Sequence, residues 1–197
     1  MAKRLLIIFF TIFSFSISSQ AATPKETLDY LYKNNIKLVT EIERVSDSFV
    51  RGELILLALN IYQEARDSTE KDMMGVGFVT LNRLSLSKSN DGPKNISEVV
   101  FEHAIGANGV KLKTAQFSWT TKTREQIFPK EYESWIESQK IATSLYYNQN
   151  KLVDHTNGAT HFVAPRLLTS NPEWVRRGLN KIRIGEHVYM RLANYSK

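Results

Sequence analysis

The sequence predicts an α+β domain, a helical body with a small β region near its C-terminal end. Apolar residues recur at helical spacing along residues 54–65 and again along residues 131–147, which predicts two core helices. Short strand-like runs follow at residues 159–163 and 187–190, with Gly185 as a turn residue. Because no internal repeat or linker divides the mature chain, we expect one main domain.

Further helices are expected around these two. Residues 23–44 have a threonine cap followed by proline, which predicts an N-terminal helix. A second core helix follows the polar break at residues 67–69, and its Gly75 and Gly77 are expected where another backbone, that of the first core helix, approaches closely. Residues 96–103 are predicted to form a short helix after a polar connection.

The first 21 residues have the features of a signal peptide. Lys3 and Arg4 precede an almost entirely apolar run, residues 5–17, and Ser19-Gln20-Ala21 offers small residues where a signal peptidase cleaves. We therefore expect residues 1–21 to be removed and the mature chain to be exported to the periplasm or cell wall, with no stable membrane span. Retention of this segment as an anchor is the alternative. The rest is predicted to divide into a helical extension, residues 22–50, and the main domain, residues 51–197.

Composition excludes several classes of function. The chain has no cysteine, which rules out cysteine nucleophiles, cysteine-ligated zinc and thiol redox chemistry. The formal charge is +6, and removal of Lys3 and Arg4 with the leader lowers it by two, to +4. A mildly basic exported protein favours anionic envelope polymers, such as cell-wall glycan with its peptide carboxylates. No basic run interleaved with aromatics is present, so nucleic acid is not an expected partner.

Glu64 is the strongest candidate for chemistry. It lies one turn after Ile61 and two turns after Leu57, so it continues the apolar stripe of the first core helix. Burial disfavours the charged form of a carboxylate and raises its pKa, which suits a general acid. The alternative is that Glu64 is only an ion-pair partner of Arg66 or Arg83.

Two other groups of residues are candidates for ligand contact. Residues 116–119 read Gln-Phe-Ser-Trp, which is either ordinary core or a surface that packs against sugar rings. The histidines at 155, 161 and 187 lack the spacing of a zinc site, so we expect no metal and no cofactor.

Six short motifs then occur in one order along residues 54–191. They are Ile61-Tyr62-Gln63-Glu64-Ala65-Arg66, Val79-Thr80-Leu81-Asn82-Arg83, Phe117-Ser118-Trp119, Asn157-Gly158-Ala159-Thr160-His161-Phe162, Pro172-x-Trp174 and Ile184-Gly185-x-His187-x-Tyr189. Each motif is modest alone, but the ordered set is specific. It resembles the SleB/CwlJ-type cell wall hydrolases, the family of spore cortex-lytic enzymes.

This resemblance implies a lysozyme-like fold and cleavage of peptidoglycan glycan strands between N-acetylmuramic acid and N-acetylglucosamine, in the SleB branch by lytic transglycosylation. By motif, the catalytic acid falls on Glu64. Supporting roles fall on Arg66, Asn82 and Arg83, the last two by bracing the Glu64 turn. Substrate contacts are expected from two walls of a cleft, formed by Gln116, Phe117, Ser118 and Trp119 and by Asn157, His161, His187 and Tyr189. For each contact residue, a purely structural role is an equally strong alternative.

The chain also departs from the family pattern. The second acidic residue after Glu64 is displaced, and Asp72 stands where the family has a glycine. Three alternatives to a transglycosylase therefore stay open: a water-using muramidase with Asp67 or Glu70 as second carboxylate, a metal-dependent amidase or endopeptidase, and a non-catalytic wall-binding module. The identity of a regulatory protein partner is left open.

Overall fold

The computed structural model describes residues 22–87, 92–105, 111–170 and 173–192. The predicted signal peptide and Pro172 lie outside these ranges. The helices are α1 (Pro24–Lys33), α2 (Thr40–Glu43), α3 (Ser48–Ala65), α4 (Glu70–Ser87), α5 (Ile96–Val100), α6 (Arg124–Ile127), α7 (Tyr132–Asn148), α8 (Arg166–Ser170) and α9 (Glu173–Arg176). The strands are β1 (His103–Ile105), β2 (Lys111–Ala115), β3 (His161–Val163), β4 (Leu179–Ile184) and β5 (His187–Arg191).

Helix α3 is the centre of the helical body. Asp47 caps its first turn by accepting hydrogen bonds from the backbone N–H groups of Phe49 and Val50. Every residue from 52 to 62 is buried, and the helix packs against α4, α5 and α7. A helix that is apolar on all sides belongs in a core. The predictions of core helices over residues 54–65 and 131–147 are confirmed by α3 and α7.

The N-terminal segment differs from its prediction. The single helix expected over residues 23–44 is two helices, because α1 ends at Lys33 and Asn35 adopts a left-handed conformation with φ of 54°. Thr23 does cap α1, as predicted, in a capping box with Glu26. The domain boundary proposed at residue 51 falls within the first turn of α3.

Helix α4 packs its glycines against two different partners. A side chain at Gly77 would meet the side chains of Leu145 in α7 and Ile61 in α3, so the first core helix is a neighbour there through a side chain and not through its backbone. At Gly75 the neighbour is instead the ring of Tyr189 in β5. The absence of a Cβ at Gly75 therefore lets the sheet pack close to α4.

The β region is a three-stranded antiparallel sheet with the order β3-β5-β4. It contains the strands predicted within residues 159–163 and 187–190, and Gly185 forms the β4–β5 turn with φ of 53°. The short helix predicted for residues 96–103 stops at Val100, and His103 begins an antiparallel hairpin, β1–β2, that the sequence did not reveal. The predicted α+β class is confirmed.

No helix within the described ranges is both long and apolar enough to cross a lipid bilayer.

Candidate active site

A cavity of about 530 Å³ lies between the end of α3 and the β4–β5 turn. Its size is typical of a small-molecule or sugar site. Its walls come from four parts of the chain: residues 63–68, Lys122, residues 164–166 after β3, and the Arg183, Glu186 and His187 side chains around the turn. The cavity therefore forms only where the helical body meets the sheet.

Glu64 lines this cavity as a half-buried carboxylate. Burial raises its pKa above the ordinary value, while the positive charges of His187 and Lys122 act in the opposite direction. Its side chain makes no hydrogen bond or ion pair with any other residue that the structure describes. The carboxyl group is therefore free to hold a proton and to donate it into the cavity.

The alternative role of Glu64 as an ion-pair partner of Arg66 or Arg83 is wrong. Arg66 places its Nε 3.7 Å from carboxylate oxygens of both Asp67 and Glu131, at the rim of the cavity. Arg83 is buried and pairs with Glu102. Each arginine has another acid, so neither fixes Glu64 as an anion.

The end of α3 is held in place by its neighbours. The Tyr62 hydroxyl accepts hydrogen bonds from the backbone N–H groups of Lys130 and Glu131, at 3.0 and 3.2 Å, and donates to the Glu131 carboxylate. The Gln63 side-chain amide donates to the Ile127 carbonyl at 2.9 Å. These bonds hold the two residues immediately before Glu64, and so they fix the position from which its carboxyl group faces the cavity.

Asp72, at the start of α4, is a second acid beside the cavity, and no motif or spacing in the sequence predicts a role for it. Its fully buried carboxylate accepts hydrogen bonds from Ser68, from Tyr189 at 2.6 Å, from the Glu186 backbone N–H at 3.0 Å and from His187 Nδ1 at 3.0 Å. Burial alone would raise the pKa of Asp72, but the bonds from His187, Ser68 and Tyr189 outweigh it and the pKa lies below its ordinary value. Asp72 is therefore held as an anion.

The Asp72 carboxylate also determines how His187 is presented. An anionic acceptor at Nδ1 requires that Nδ1 carry a proton, so the other ring nitrogen, Nε2, is left for the cavity that His187 lines. Gly185 makes this arrangement possible, because a Cβ there would lie 2.8 Å from both Asp72 Oδ2 and Ser68 Oγ. The spacing of Asp72 with the buried Val76 and Val79 on α4 was a signal that could have shown its burial.

Three of the predicted substrate contacts are wrong. Phe117 and Trp119 are 3% and 1% exposed in the core, and the Trp119 indole donates to Asn60 at 2.7 Å. Tyr189 is fully buried, and its hydroxyl is committed to Asp72. These aromatic rings follow the apolar pattern of the fold and have no exposed face for a sugar to contact.

Other predicted contact residues lie away from the cavity wall. Gln116 is half-buried, while Ser118 and Asn157 are exposed. His161 is half-buried, with its ring centroid 6.0 Å from that of Trp174, and burial and the charge of Arg83 lower the pKa of His161 to about 3. Of the eight predicted contacts, His187 is the one that lines the cavity within the described residues.

Asn82 and Arg83 stabilise parts of the fold other than the Glu64 turn. The Asn82 amide donates to Asp154 at 2.9 Å and to the Ala159 carbonyl at 3.1 Å, which ties α4 to the segment before β3. Arg83 stacks over the ring of Phe117, 5.5 Å from its centroid. The prediction that these two residues brace the Glu64 turn is wrong.

Several cavity residues carry no periodic or motif signal in the sequence. Lys122 follows the 3-10 turn Ser118–Thr121, and its amino group lies 3.4 Å from the Gln63 amide oxygen. Arg166 begins α8, Arg183 lies near the end of β4, and Glu186 lies in the β4–β5 turn. Exposed charged residues are common on any protein surface, so only their placement around one cavity makes them candidates.

The sequence profile of the family described as Cell Wall Hydrolase matches residues 67–190, which is more than half of the chain. The protein therefore belongs to the cell wall hydrolase family, a family of enzymes, as the ordered motifs predicted. The matched segment contains Asp72 and His187, while Glu64 lies three residues before it.

Among solved structures, the chain is similar to the catalytic domain of the germination-specific lytic transglycosylase SleB from Bacillus anthracis. The two share 21% sequence identity with a TM-score of 0.50, and the match covers 71% of this chain and 93% of that one. At this identity the likeness establishes the fold, and it confirms the predicted lysozyme-like architecture. A comparison with curated protein sequences gives no match.

Proposed function

We propose that the protein cleaves the glycan strands of peptidoglycan between N-acetylmuramic acid and N-acetylglucosamine, as a lytic transglycosylase with Glu64 as its general acid and base. One observation carries the assignment of Glu64: a half-buried carboxyl group faces a 530 Å³ cavity, its pKa is raised by burial, and it has no hydrogen-bond partner among the described residues. Membership of the cell wall hydrolase family supports the substrate.

The first chemical step needs a proton donor. The glycosidic oxygen is a poor leaving group unless it is protonated as the bond breaks, and a carboxyl group with a raised pKa supplies that proton near neutral pH. The muramic acid residue is left with a developing positive charge at C1. Its own N-acetyl oxygen stabilises that charge, so no second carboxylate is needed at this stage.

The second step returns the proton. The C6 hydroxyl of the same sugar forms a bond to C1, and Glu64, now a carboxylate, accepts the hydroxyl proton. A 1,6-anhydro sugar results, and Glu64 is protonated again for the next turnover. One acid serving both steps agrees with a cavity in which the remaining carboxylates, Asp67 and Glu186, are exposed and retain ordinary access to water.

His187 and Asp72 support Glu64 in this proposal. The Asp72 anion fixes the His187 ring on the cavity wall, and the positive charge of His187 opposes the effect of burial on Glu64. The two influences together keep the pKa of Glu64 raised without preventing it from ionising after the first step. His187 Nε2 is then available to bind a substrate hydroxyl or N-acetyl group.

Export is part of the proposal, because peptidoglycan lies outside the cytoplasmic membrane. The charged and apolar pattern of residues 1–21 supports it. The mature protein is proposed to act in the periplasm or cell wall.

Mass spectrometry of digested peptidoglycan tests the reaction. The expected products carry 1,6-anhydro ends, and Glu64→Gln protein is expected to release them at least about 10²-fold more slowly. Reducing ends in place of anhydro ends would replace this proposal with the muramidase, for which Asp67 is available because it also lines the cavity, whereas Glu70 does not. A Glu64→Gln protein as active as wild type would overturn the role of Glu64 in either reaction.

A further inference from the structure

The cavity wall is rich in positive charge. Arg66, Lys122, Arg166 and Arg183 line it, together with the acids Glu64, Asp67 and Glu186. While Glu64 holds its proton, the four cations face two anions. A neutral sugar chain needs no excess of positive charge in its binding site. The excess therefore indicates that the ligand also carries negative groups.

Three of these cations have no partner acid among the residues that the structure describes. Arg66 lies 3.7 Å from both Asp67 and Glu131, whereas Lys122, Arg166 and Arg183 make no ion pair within the described part of the chain. Elsewhere on the surface, Lys25 pairs with Asp29 and Arg177 with Glu173, whereas Lys71, Arg176 and Lys181 make no ion pair with a described residue. What distinguishes Lys122, Arg166 and Arg183 is their position, since all three line one cavity.

We infer that Arg166 and Arg183, with Lys122, bind the carboxylates of the peptide stems carried by the glycan, so that the protein prefers strands bearing charged stems. The inference rests on the proposed function. The N-acetylated glycan itself is uncharged, and the carboxylates nearest to the scissile bond belong to the stem on the adjacent muramic acid. A guanidinium group matches a carboxylate with two parallel hydrogen bonds, which suits arginine for this role.

The substrate pair for the test differs in the charge of the stems, with a small hydroxyethyl group added where each charge is removed. Soluble, uncross-linked strands are freed of phosphate-containing wall polymers and divided, and the stem carboxylates of one half are converted to neutral amides with carbodiimide and ethanolamine. The readout is the initial rate of glycan-chain cleavage. We expect wild type to cleave the charged strands about threefold faster or more, since one exposed ion pair contributes up to about a fivefold effect. Added salt should reduce this ratio.

Two double variants assign the preference to the cavity. Arg166→Gln/Arg183→Gln is expected to bring the ratio close to one. Arg176→Gln/Lys181→Gln removes the same charge from residues that do not line the cavity, and Lys181 shares a strand face with Arg183 two positions away. This control pair should keep the wild-type ratio.

The outcomes separate the inference from the proposed function. Equal rates on both strands for wild type, or an equal loss of preference in the control pair, would overturn stem recognition. If Glu64→Gln abolishes cleavage of both strands, the proposed acid stands whatever the ratio shows. Binding of both strands to Glu64→Gln protein, with and without the Arg166→Gln/Arg183→Gln changes, gives the same comparison by affinity and requires no cleavage.

Discussion

The two ends of α3 each carry a glutamate out of bulk water, and the two are treated differently. At the start of the helix, Glu53 is 4% exposed and accepts hydrogen bonds from the backbone N–H groups of Ile96 and Ser97, the latter at 3.1 Å. At the end, Glu64 faces the cavity with no such donor among the described residues. Burial raises the pKa of both, although the bonds from Ile96 and Ser97 oppose it at Glu53.

The comparison shows that burial alone does not make a carboxylate an acid catalyst. Glu53 binds the first backbone N–H groups of α5, so its oxygens are occupied by the fold. The oxygens of Glu64 are unoccupied and reach a space large enough for a substrate. The number of donors around a buried acid decides whether it stabilises a fold or reacts.

Catalysis is expected to separate the two glutamates most strongly. Glu64→Gln should lower the rate of glycan cleavage by about 10²- to 10⁴-fold, the usual contribution of a general acid. Glu53→Gln should leave the rate per folded molecule within about threefold, since general effects of a distant change are small. Release of soluble glycan from purified peptidoglycan measures both. Equal losses in the two variants would contradict the contrast.

Asp72 is a third acid for this comparison. It borders the cavity, but both of its carboxylate oxygens accept hydrogen bonds. Asp72→Asn replaces one acceptor oxygen by an amide that cannot accept, and should cost about 3 kcal/mol of unfolding free energy. Because His187 then loses its fixed orientation, glycan cleavage should also fall by about 10- to 100-fold. Urea denaturation and initial rates measure the two effects.

Tyr189→Phe is the matched control for Asp72. It removes one hydrogen bond to the carboxylate while leaving His187 bound to it. It should cost about 1 kcal/mol and spare most of the activity. A loss of activity as large as that of Asp72→Asn would show that His187 is not the link.

The two substitutions should affect stability in the reverse order from catalysis, with Glu53→Gln the more destabilising. Glu53→Gln leaves one buried N–H group without an acceptor and should cost about 1–3 kcal/mol in urea denaturation at neutral pH. Glu64→Gln breaks no hydrogen bond with the described residues and should cost less than about 0.5 kcal/mol. A Glu64→Gln protein destabilised as much as Glu53→Gln would show that Glu64 has a structural partner.

Titration gives the smallest effect, and its sign follows from the raised pKa of Glu64. Catalysis needs protonated Glu64, so kcat/KM should fall as the pH rises through this pKa. The charge of Lys122 lowers the pKa, against the effect of burial. Lys122→Gln should therefore raise the pKa and move the falling limb to higher pH, while Lys151→Gln, a change outside the cavity, should not. A shift to lower pH would contradict the charge effect.

Local pattern was sufficient for the long helices α3, α4 and α7 and for naming Glu64 as a candidate. The stripe that ends at Glu64 identified both α3 and the acid at its end, because helical spacing places residues three and four apart on one face. The same reasoning did not distinguish Trp119 in the core from Trp119 on a sugar-binding surface. An aromatic residue after a loop suits both places, and only the packing against Phe101 and Asn60 decides between them.

By itself, the sequence determined the α+β class, the positions of the long helices, the family and the candidate acid, since these depend on spacing between near neighbours and on the order of motifs. Tertiary structure decided what surrounds that acid. The contact between Asp72 and His187 joins residues 115 positions apart, and Lys122, Arg166 and Arg183 reach the same cavity from separate parts of the chain. Contacts of this range depend on how the sheet docks against α4, which no local periodicity encodes.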